Sequence, residues 1–291
     1  MLAATARIAR RLNIDTRDLY QRLSVTSIRA AIREQGLAAL CEKLRELRPD
    51  LSTQYTGAVD VTEYGRYWEV KLRGLHAFQV RATLDALATI PRDNLVLVDI
   101  GDSSGAHMAY VRALAPPGRV GRSLCVNSDP VAIQKIRAGG GDALLCRAED
   151  LEVEGIHADL FLSFQTLEHL TDPARFLHSL ATRGSADHLL ITVPWRRTSR
   201  FGGFHLRMPE AQMSAHMTPE EVHVLELSET DWALLARFAG WRVVFSRIYR
   251  QYPRYSPCRV TAPLWRKLDF EGFLGLFLTR DLGVARRYTG W

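Results

Sequence analysis

The chain has 291 residues, 47% of them hydrophobic and 24% charged, with a net charge of +6 and an isoelectric point near 9.3. That length allows one large or two small domains with a core of useful size, in a composition ordinary for a globular protein. The mildly basic balance is compatible with an anionic substrate, a nucleic acid or an anionic membrane surface, and does not select among them.

The four cysteines, Cys41, Cys125, Cys146 and Cys258, form no CxxC pair, which argues against structural zinc. Cys125 and Cys146 lie in strand-like runs and read as buried thiols. No apolar run reaches the roughly 18 residues of a membrane-spanning helix. The first residues carry Arg7, Arg10 and Arg11, but Asn13 and Asp15 interrupt any apolar stretch. They do not read as a secretory signal, and the cytoplasm is the expected compartment.

Leu2, Ile8, Leu12, Leu19, Leu23, Ile28, Ile32, Leu37, Leu40, Leu44 and Leu47 fit amphipathic helices broken near Asn13-Ile14-Asp15 and near Ser24. Arg48-Pro49-Asp50 ends that block. It reads as an oligomerisation arm, a substrate-binding cap or simple packing. Tyr55, Tyr64, Tyr67 and Trp68 then gather among Glu63, Arg66, Glu69, Lys71 and Arg73, either as a packed helix with aromatic anchors or as a lid over a ligand. Leu75 to Ile90 reads as another helix, ended by Pro91.

From Asn94 strands and helices alternate. Strands are expected at 95–99, 122–127, 143–147, 158–163, 188–193 and 241–248. Helices are expected at 106–114, 130–138, 173–182 and 231–239. Thr171-Asp172-Pro173 supplies a cap and a first turn, and Gly240 a stop. Such alternation implies a parallel sheet with helices on both faces. Leu95–Asp99 is a short apolar run ending in an acid, followed by the turn Gly101-Asp102-Ser103-Ser104-Gly105 and a helix. Strand, glycine turn and helix open a nucleotide-binding α/β unit, whose helix start offers free N–H groups. The tail 251–291 is rich in Pro, aromatic residues and Arg, and Asp269–Leu278 reads as a short apolar helix.

The order of these motifs resembles a class I S-adenosylmethionine-dependent methyltransferase over Asn94–Ile248. Four stretches carry the resemblance: Val98-Asp99-Ile100-Gly101 with Gly105; Val126-Asn127-Ser128-Asp129-Pro130; Arg147-Ala148-Glu149-Asp150-Leu151; and Ala158–Ser163 followed by Leu167-Glu168-His169-Leu170 and Asp172-Pro173. Trp232 and Phe238-Ala239-Gly240-Trp241 fit the family's last helix and strand. The resemblance implies an α/β, Rossmann-like, doubly wound and mostly parallel seven-stranded sheet. Around it the chain divides into a helical N-terminal extension over 1–90, a cofactor domain over 91–250 and a C-terminal extension over 251–291.

It also implies S-adenosylmethionine as cofactor, cradled by Asp99, Gly101, Asp102, Ser103, Ser104 and Gly105. Asp99 would contact its amino group, Asn127 and Asp129 the ribose, and Ala148 and Glu149 the adenine, with Phe164 and Gln165 near the reactive methyl. Two departures stand out: Ser103 replaces the middle glycine, and Asn127 stands where an acid usually binds the ribose.

A hydroxyl acceptor needs a base beside the methyl group, and His169 is the first candidate, against a capping role at the following helix. Some branches of the family hold a divalent ion between a Glu-x-x-Glu-His segment and a later histidine. The equivalent set here is Glu168, His169 and His223, with Gln165 replacing the first glutamate. Arg196, Arg197, Arg200, His205 and Arg207, interleaved with Phe201 and Phe204, form either a solvated loop or a grip on a phosphorylated or nucleotide-linked acceptor. The expected reaction is O-methylation of a small molecule or glycan. The alternatives are an RNA methyltransferase, which no recognisable RNA-binding module supports, and an inactive cofactor-binding partner subunit. The leucine-rich N-terminal helices could pair two copies.

Overall fold

A computed structural model describes residues 16–52, 65–102, 104–218, 221–255 and 272–291. Among the described residues three helices come first: α1 (Thr16–Glu34), α2 (Ala38–Leu47) and α3 (Arg66–Thr89). Alternating elements follow: β1 (Leu95–Ile100), α4 (Ala106–Leu114), β2 (Val120–Asn127), α5 (Pro130–Ala138), β3 (Asp142–Leu145) and β4 (Leu160–Phe164). The chain continues through α6 (Pro173–Arg183), β5 (His188–Pro194), α7 (Glu229–Ala239), β6 (Trp241–Arg250) and β7 (Gly272–Arg280).

Seven strands form one sheet in the order β3-β2-β1-β4-β5-β7-β6. β1 pairs in parallel with β2 and β4, and β4 with β5. β7 runs antiparallel to both its neighbours, β5 and β6. β6 therefore points the same way as β1, β4 and β5, and their carboxyl ends share one edge. Every residue of β4 is buried, as a strand covered by helices on both faces requires. Local chemistry fixes the helix starts. The Asp129 carboxylate accepts from Val131 N–H at α5, Asp172 from Arg175 N–H at α6, and Ser228 from Asp231 N–H at α7.

Four expectations are corrected, three of secondary structure and one of burial. The region 272–280 is strand, not helix. Gly272–Leu278 is buried throughout between β5 and β6, so the run Phe273-Leu274-Gly275-Leu276-Phe277-Leu278 is apolar on both faces. Asp269 lies outside the described residues. Helix α1 runs straight through Ser24, which is buried, and the chain breaks instead at Gly36, whose φ of +69° ends the helix. Finally, 66–89 is one helix rather than two. Tyr67 is buried in it, with the Lys71 ammonium 5.6 Å from its ring and 5.2 Å from that of Trp68. Tyr55, Glu63 and Tyr64, like Leu2, Ile8, Leu12 and Cys258, lie outside the described residues. Cys125 is buried as expected, whereas Cys146 is only half-buried.

The N-terminal helices bury Ile28, Ile32, Leu37 and Leu44 against Val70 and Phe78 of α3 and against Tyr249 and Phe273 of the sheet. Arg73 is 1% exposed, and its guanidinium donates to the carbonyls of Leu44 (3.0 Å), Arg48 (2.9 Å) and Pro49 (3.2 Å) and to the Tyr110 hydroxyl (3.1 Å). A cation thereby satisfies carbonyls at and beyond the carboxyl end of α2, where the helix dipole favours it. This clamp holds α2 and α3 at a fixed spacing beside α4. No helix among the described residues is long and apolar enough to cross a membrane.

Candidate active site

Ligands of open α/β sheets bind outside the carboxyl ends of the strands. At that edge two groups of His, Asp and Glu each bring ligating atoms within 4.8 Å of one another: Asp99, Asp102 and His107, and Glu168, His169 and His223.

The first group lies around the turn after β1. Gly101 has φ of +102°, and a Cβ there would sit 2.3 Å from Thr166 Oγ1. Only glycine fits both the conformation and the contact. Thr166 is itself tied down, its hydroxyl lying 3.1 Å from the Ile100 carbonyl and 3.2 Å from that of Phe164. Gly105, with φ of +72°, takes the cap position of α4. Ser103 lies outside the described residues.

Asp99 is fully buried at the end of β1, and neither carboxylate oxygen has a hydrogen-bond partner. Burial, reinforced by the neighbouring Asp102 charge and opposed by His107, pushes its carboxyl up to about 8. Asp102 goes the other way. Burial works against its charge, but the facing His107 and the backbone N–H groups of Ser104 and Met108 hold it below the usual carboxylate range. His107 Nδ1 stands 3.6 Å from Asp102 Oδ1 and 3.9 Å from Asp99 Oδ2. Burial depresses this imidazole, yet the two acids together raise it above its ordinary value.

A polar chain continues from His107. Gln79 Nε2 donates to Thr192 Oγ1 (3.0 Å), so its Oε1 faces His107 Nε2 at 2.8 Å, and His107 carries its proton on Nε2. Gln165 reaches the same Thr192 hydroxyl at 3.3 Å, from a backbone with φ of +53°. The ring of His76 packs edge-on against His107 at 4.9 Å, and that of Phe164 at 5.1 Å. Helix α3, β5 and the turn after β4 thus converge under the turn after β1.

The other cofactor candidates line the neighbouring strand ends. Asn127 uses both ends of its amide on the backbone: Nδ2 donates to the Asp102 carbonyl (3.2 Å) and Oδ1 accepts from Asp129 N–H (2.7 Å). The Asp129 side chain caps α5. Ala148 and Glu149 form a single 3-10 turn after β3. The Glu149 carboxylate accepts from Arg147 Nη2 at 2.8 Å and from the N–H and hydroxyl of Thr171, both at 3.3 Å. These donors outweigh partial burial and hold it below the usual range.

The second group sits just beyond β4. Glu168 is fully buried, its two oxygens have no hydrogen-bond partner, and burial raises its carboxyl to about 7. His169 Nδ1 faces the Val222 carbonyl at 3.0 Å, which can only accept. Nδ1 therefore carries the proton and Nε2 the lone pair, 4.0 Å from Glu168 Oε1. The rings of His169 and His223 meet edge to face at 4.8 Å. His223 Nδ1 is held by Glu226 Oε1 at 3.0 Å. Glu226 is itself buried and accepts from Arg200 Nε at 2.6 Å, with Arg196 Nε at 3.7 Å. Two histidines with outer partners on Nδ1, beside a buried carboxylate without one, is a donor set that fits a divalent cation.

The basic loop is anchored at this same point. Arg200–Phe201 pairs antiparallel with Leu225–Glu226. Gly203 N–H donates to the His223 carbonyl at 2.8 Å, and a Cβ on Gly203 would lie 2.8 Å from that of His223. His205 and Arg207 lie on a single helical turn, Phe204–Arg207, with Phe201 and Phe204 exposed.

The sequence reasoning missed His76, Gln79, His107, Thr192 and Glu226. His107 was findable, two positions past the last loop glycine, and so was Glu226, three past His223. His76 and Gln79, one turn apart on α3, gave no signal of their own.

No family model and no curated protein matches this chain. Solved structures do. One comes from a complex between the Haloferax volcanii Trm112 methyltransferase activator and its candidate methyltransferase, with 18% identity, 74% of this chain and 94% of that chain covered, and a TM-score of 0.51. Another is a candidate sarcosine dimethylglycine methyltransferase from Galdieria sulphuraria, with 12% identity, 74% and 87% covered, and a TM-score of 0.50. The likeness is one of fold. The chain has the class I S-adenosylmethionine-dependent methyltransferase architecture, with its mostly parallel seven-stranded sheet.

Proposed function

We propose that this chain transfers the methyl group of S-adenosylmethionine to a hydroxyl group of a small molecule or glycan. One observation carries the reading: a glycine-restricted turn over a buried Asp99 that makes no hydrogen bond, on the same strand edge as Glu168, His169 and His223. A fully buried carboxyl with no hydrogen-bond partner fits a cationic ammonium, and the amino group of the cofactor is one. Gly101 and Gly105 give its methionyl part access to the backbone. Ala148 and Glu149 would face the adenine, and Asn127 with Asp129 the ribose. Phe164 and Gln165 would floor the pocket near the methyl group.

The bound cofactor supplies an activated methyl carbon, so the chain's own work is orientation and deprotonation. His169, with its lone pair on Nε2, takes the proton of the acceptor hydroxyl. The Val222 carbonyl fixes its tautomer and stabilises the imidazolium that results. In the alternative arrangement, Glu168, His169 through the same Nε2, and His223 would hold a divalent cation instead, and that cation would lower the pKa of a bound hydroxyl.

A second reading, an inactive cofactor-binding subunit, is favoured by the commitment of the Asn127 amide to the backbone. Calorimetric titration with S-adenosylmethionine and its demethylated product, followed by labelled-methyl transfer into a lysate, separates the readings. Binding with transfer is expected. Binding without transfer favours the inactive subunit, and no binding at millimolar ligand refutes both. Transfer that survives chelation and His223→Ala unchanged removes the cation from the mechanism.

A further inference from the structure

Three acceptors face one another at the turn after β1. Asp99 and Asp102 are buried, and His107 is 7% exposed. His107 Nδ1 lies 3.6 Å from Asp102 Oδ1 and 3.9 Å from Asp99 Oδ2. Among the described residues, that nitrogen and both oxygens of Asp99 have no hydrogen-bond partner. Cys125 Sγ lies 3.7 Å from the other Asp102 oxygen, Oδ2, which leaves Oδ1 toward His107.

The second nitrogen of the imidazole is fixed from behind. The Gln79 carbonyl oxygen faces Nε2 at 2.8 Å, and the Gln79 amide donates to Thr192 Oγ1 at 3.0 Å. In the neutral ring the proton is therefore on Nε2, and the Nδ1 lone pair is turned toward the two carboxylates. Buried acceptors with no donor among them cost free energy, which a cation placed there relieves. Titration shows the same demand. Burial first, and then the Asp102 charge, raise the Asp99 carboxyl to about 8. Burial depresses His107, but the two acids outweigh it and raise its affinity for a second proton. The empty group already gathers positive charge.

The geometry selects the cation. The ligating atoms of the three residues lie within 4.8 Å of one another. A nitrogen about 2.9 Å from each of three such atoms is possible, and that is hydrogen-bond length. An ammonium carries three N–H donors, one for each acceptor. Magnesium and calcium take about six or more oxygens, which these residues do not supply. We propose that His107 is a cofactor-binding residue, its Nδ1 joining Asp99 and Asp102 in a three-acceptor cradle for the ammonium of the cofactor's amino-acid end. Gln79 is then a positioning residue that holds the imidazole in the accepting tautomer. The identity of the ammonium rests on the methyl-transfer reading above.

The test is calorimetric titration of the full chain with two ligands. S-adenosylhomocysteine carries the ammonium; 5′-methylthioadenosine keeps the nucleoside and the thioether and lacks the amino-acid end. His107→Leu removes the acceptor, His107→Asn puts an amide oxygen in the place of Nδ1, and Gln79→Leu frees the tautomer. His107→Leu weakens S-adenosylhomocysteine binding about tenfold or more, the loss of a charge-assisted hydrogen bond, and changes methylthioadenosine binding less than twofold. His107→Asn recovers part of the loss. Gln79→Leu weakens S-adenosylhomocysteine several-fold, again without effect on the second ligand. A histidine that only supports the fold would weaken both ligands alike. That result overturns the proposal, and so does undiminished S-adenosylhomocysteine binding in His107→Leu. If His107→Leu does not fold, Gln79→Leu decides; if methylthioadenosine binds too weakly to measure, the recovery in His107→Asn decides. Zinc chloride is the third titrant. Zinc binding that is lost in His107→Leu and excludes S-adenosylhomocysteine makes the group a metal site and overturns the proposal. A wild type that binds neither nucleoside removes the cofactor reading itself, and the cradle with it.

Discussion

Asp99→Asn separates what the site costs the fold from what it does for a ligand. The wild-type carboxyl is fully buried with no hydrogen-bond partner, and its pKa is raised to about 8. In the unfolded chain it titrates near 3.9. Between these values the native state holds a proton that the unfolded state has released. Stability is therefore greatest below about pH 4 and falls by about 1.4 kcal/mol per unit as pH rises toward 8. From pH 6 to pH 8 the Asp99 contribution amounts to a loss of about 2 kcal/mol. Asparagine has the shape of the neutral acid and no proton to lose. The variant, without cofactor, should be the more stable protein at pH 8, by about 2 kcal/mol more than at pH 6, while its affinity for S-adenosylmethionine falls at least tenfold. Urea unfolding at the two pH values and calorimetric titration read both effects. A stability difference that does not change with pH, or undiminished cofactor affinity, refutes the reasoning.

Gly101→Ala forces a Cβ to 2.3 Å from Thr166 Oγ1 at a φ of +102°; we expect about 1–3 kcal/mol of destabilisation and cofactor binding at least tenfold weaker. The double variant with Thr166→Ala should recover part of the stability in thermal unfolding, because it removes the clash and leaves the strained dihedral. Glu226→Ala removes the buried carboxylate that Arg200, Arg196 and His223 share, so chemical denaturation should show a loss of about 3–5 kcal/mol, with less for Glu226→Gln. Glu168→Gln and His223→Ala should each lower the methyl-transfer rate about 100-fold or more while cofactor affinity moves less than twofold. A matching fall in affinity would place these residues in binding instead.

β1 was legible because it is an apolar run closed by Gly101, and β2 because its apolar end meets the Asp129-Pro130 helix start. Asp172-Pro173 before α6 and Gly240 after α7 fall where the sequence puts them. β7 was not legible. A strand covered on both faces shows no alternation, and its apolar run cannot be told from a buried helix by period alone. Ser24 misled for a related reason: a serine on the buried side of a helix resembles a break until the packing that covers it is known. At the site, the turn after β1 and the Leu-Glu-His segment were readable because their members are close in sequence. The Thr192–Gln79–His107 chain was not. Three elements meet there only after the sheet forms, and spacing along the chain carries no trace of that meeting.

The place of β7 sets an order on folding. It lies between β5 and β6, and the ion pair of Arg280 with Asp187 at its far end spans 93 positions. While the chain leaves the ribosome, β1 to β5 can assemble, but β6 has no partner until residues 272–280 emerge. Until then β5 keeps an unpaired apolar edge, and Arg250 is not yet brought to its side. The last strand therefore acts as a latch. Such long-range pairing slows folding, and an unfinished chain exposes an edge prone to association. A chain cut before residue 272 should lose the bond that holds Trp195 to the Gly272 carbonyl, and with it the fixed placement of the loop that follows β5.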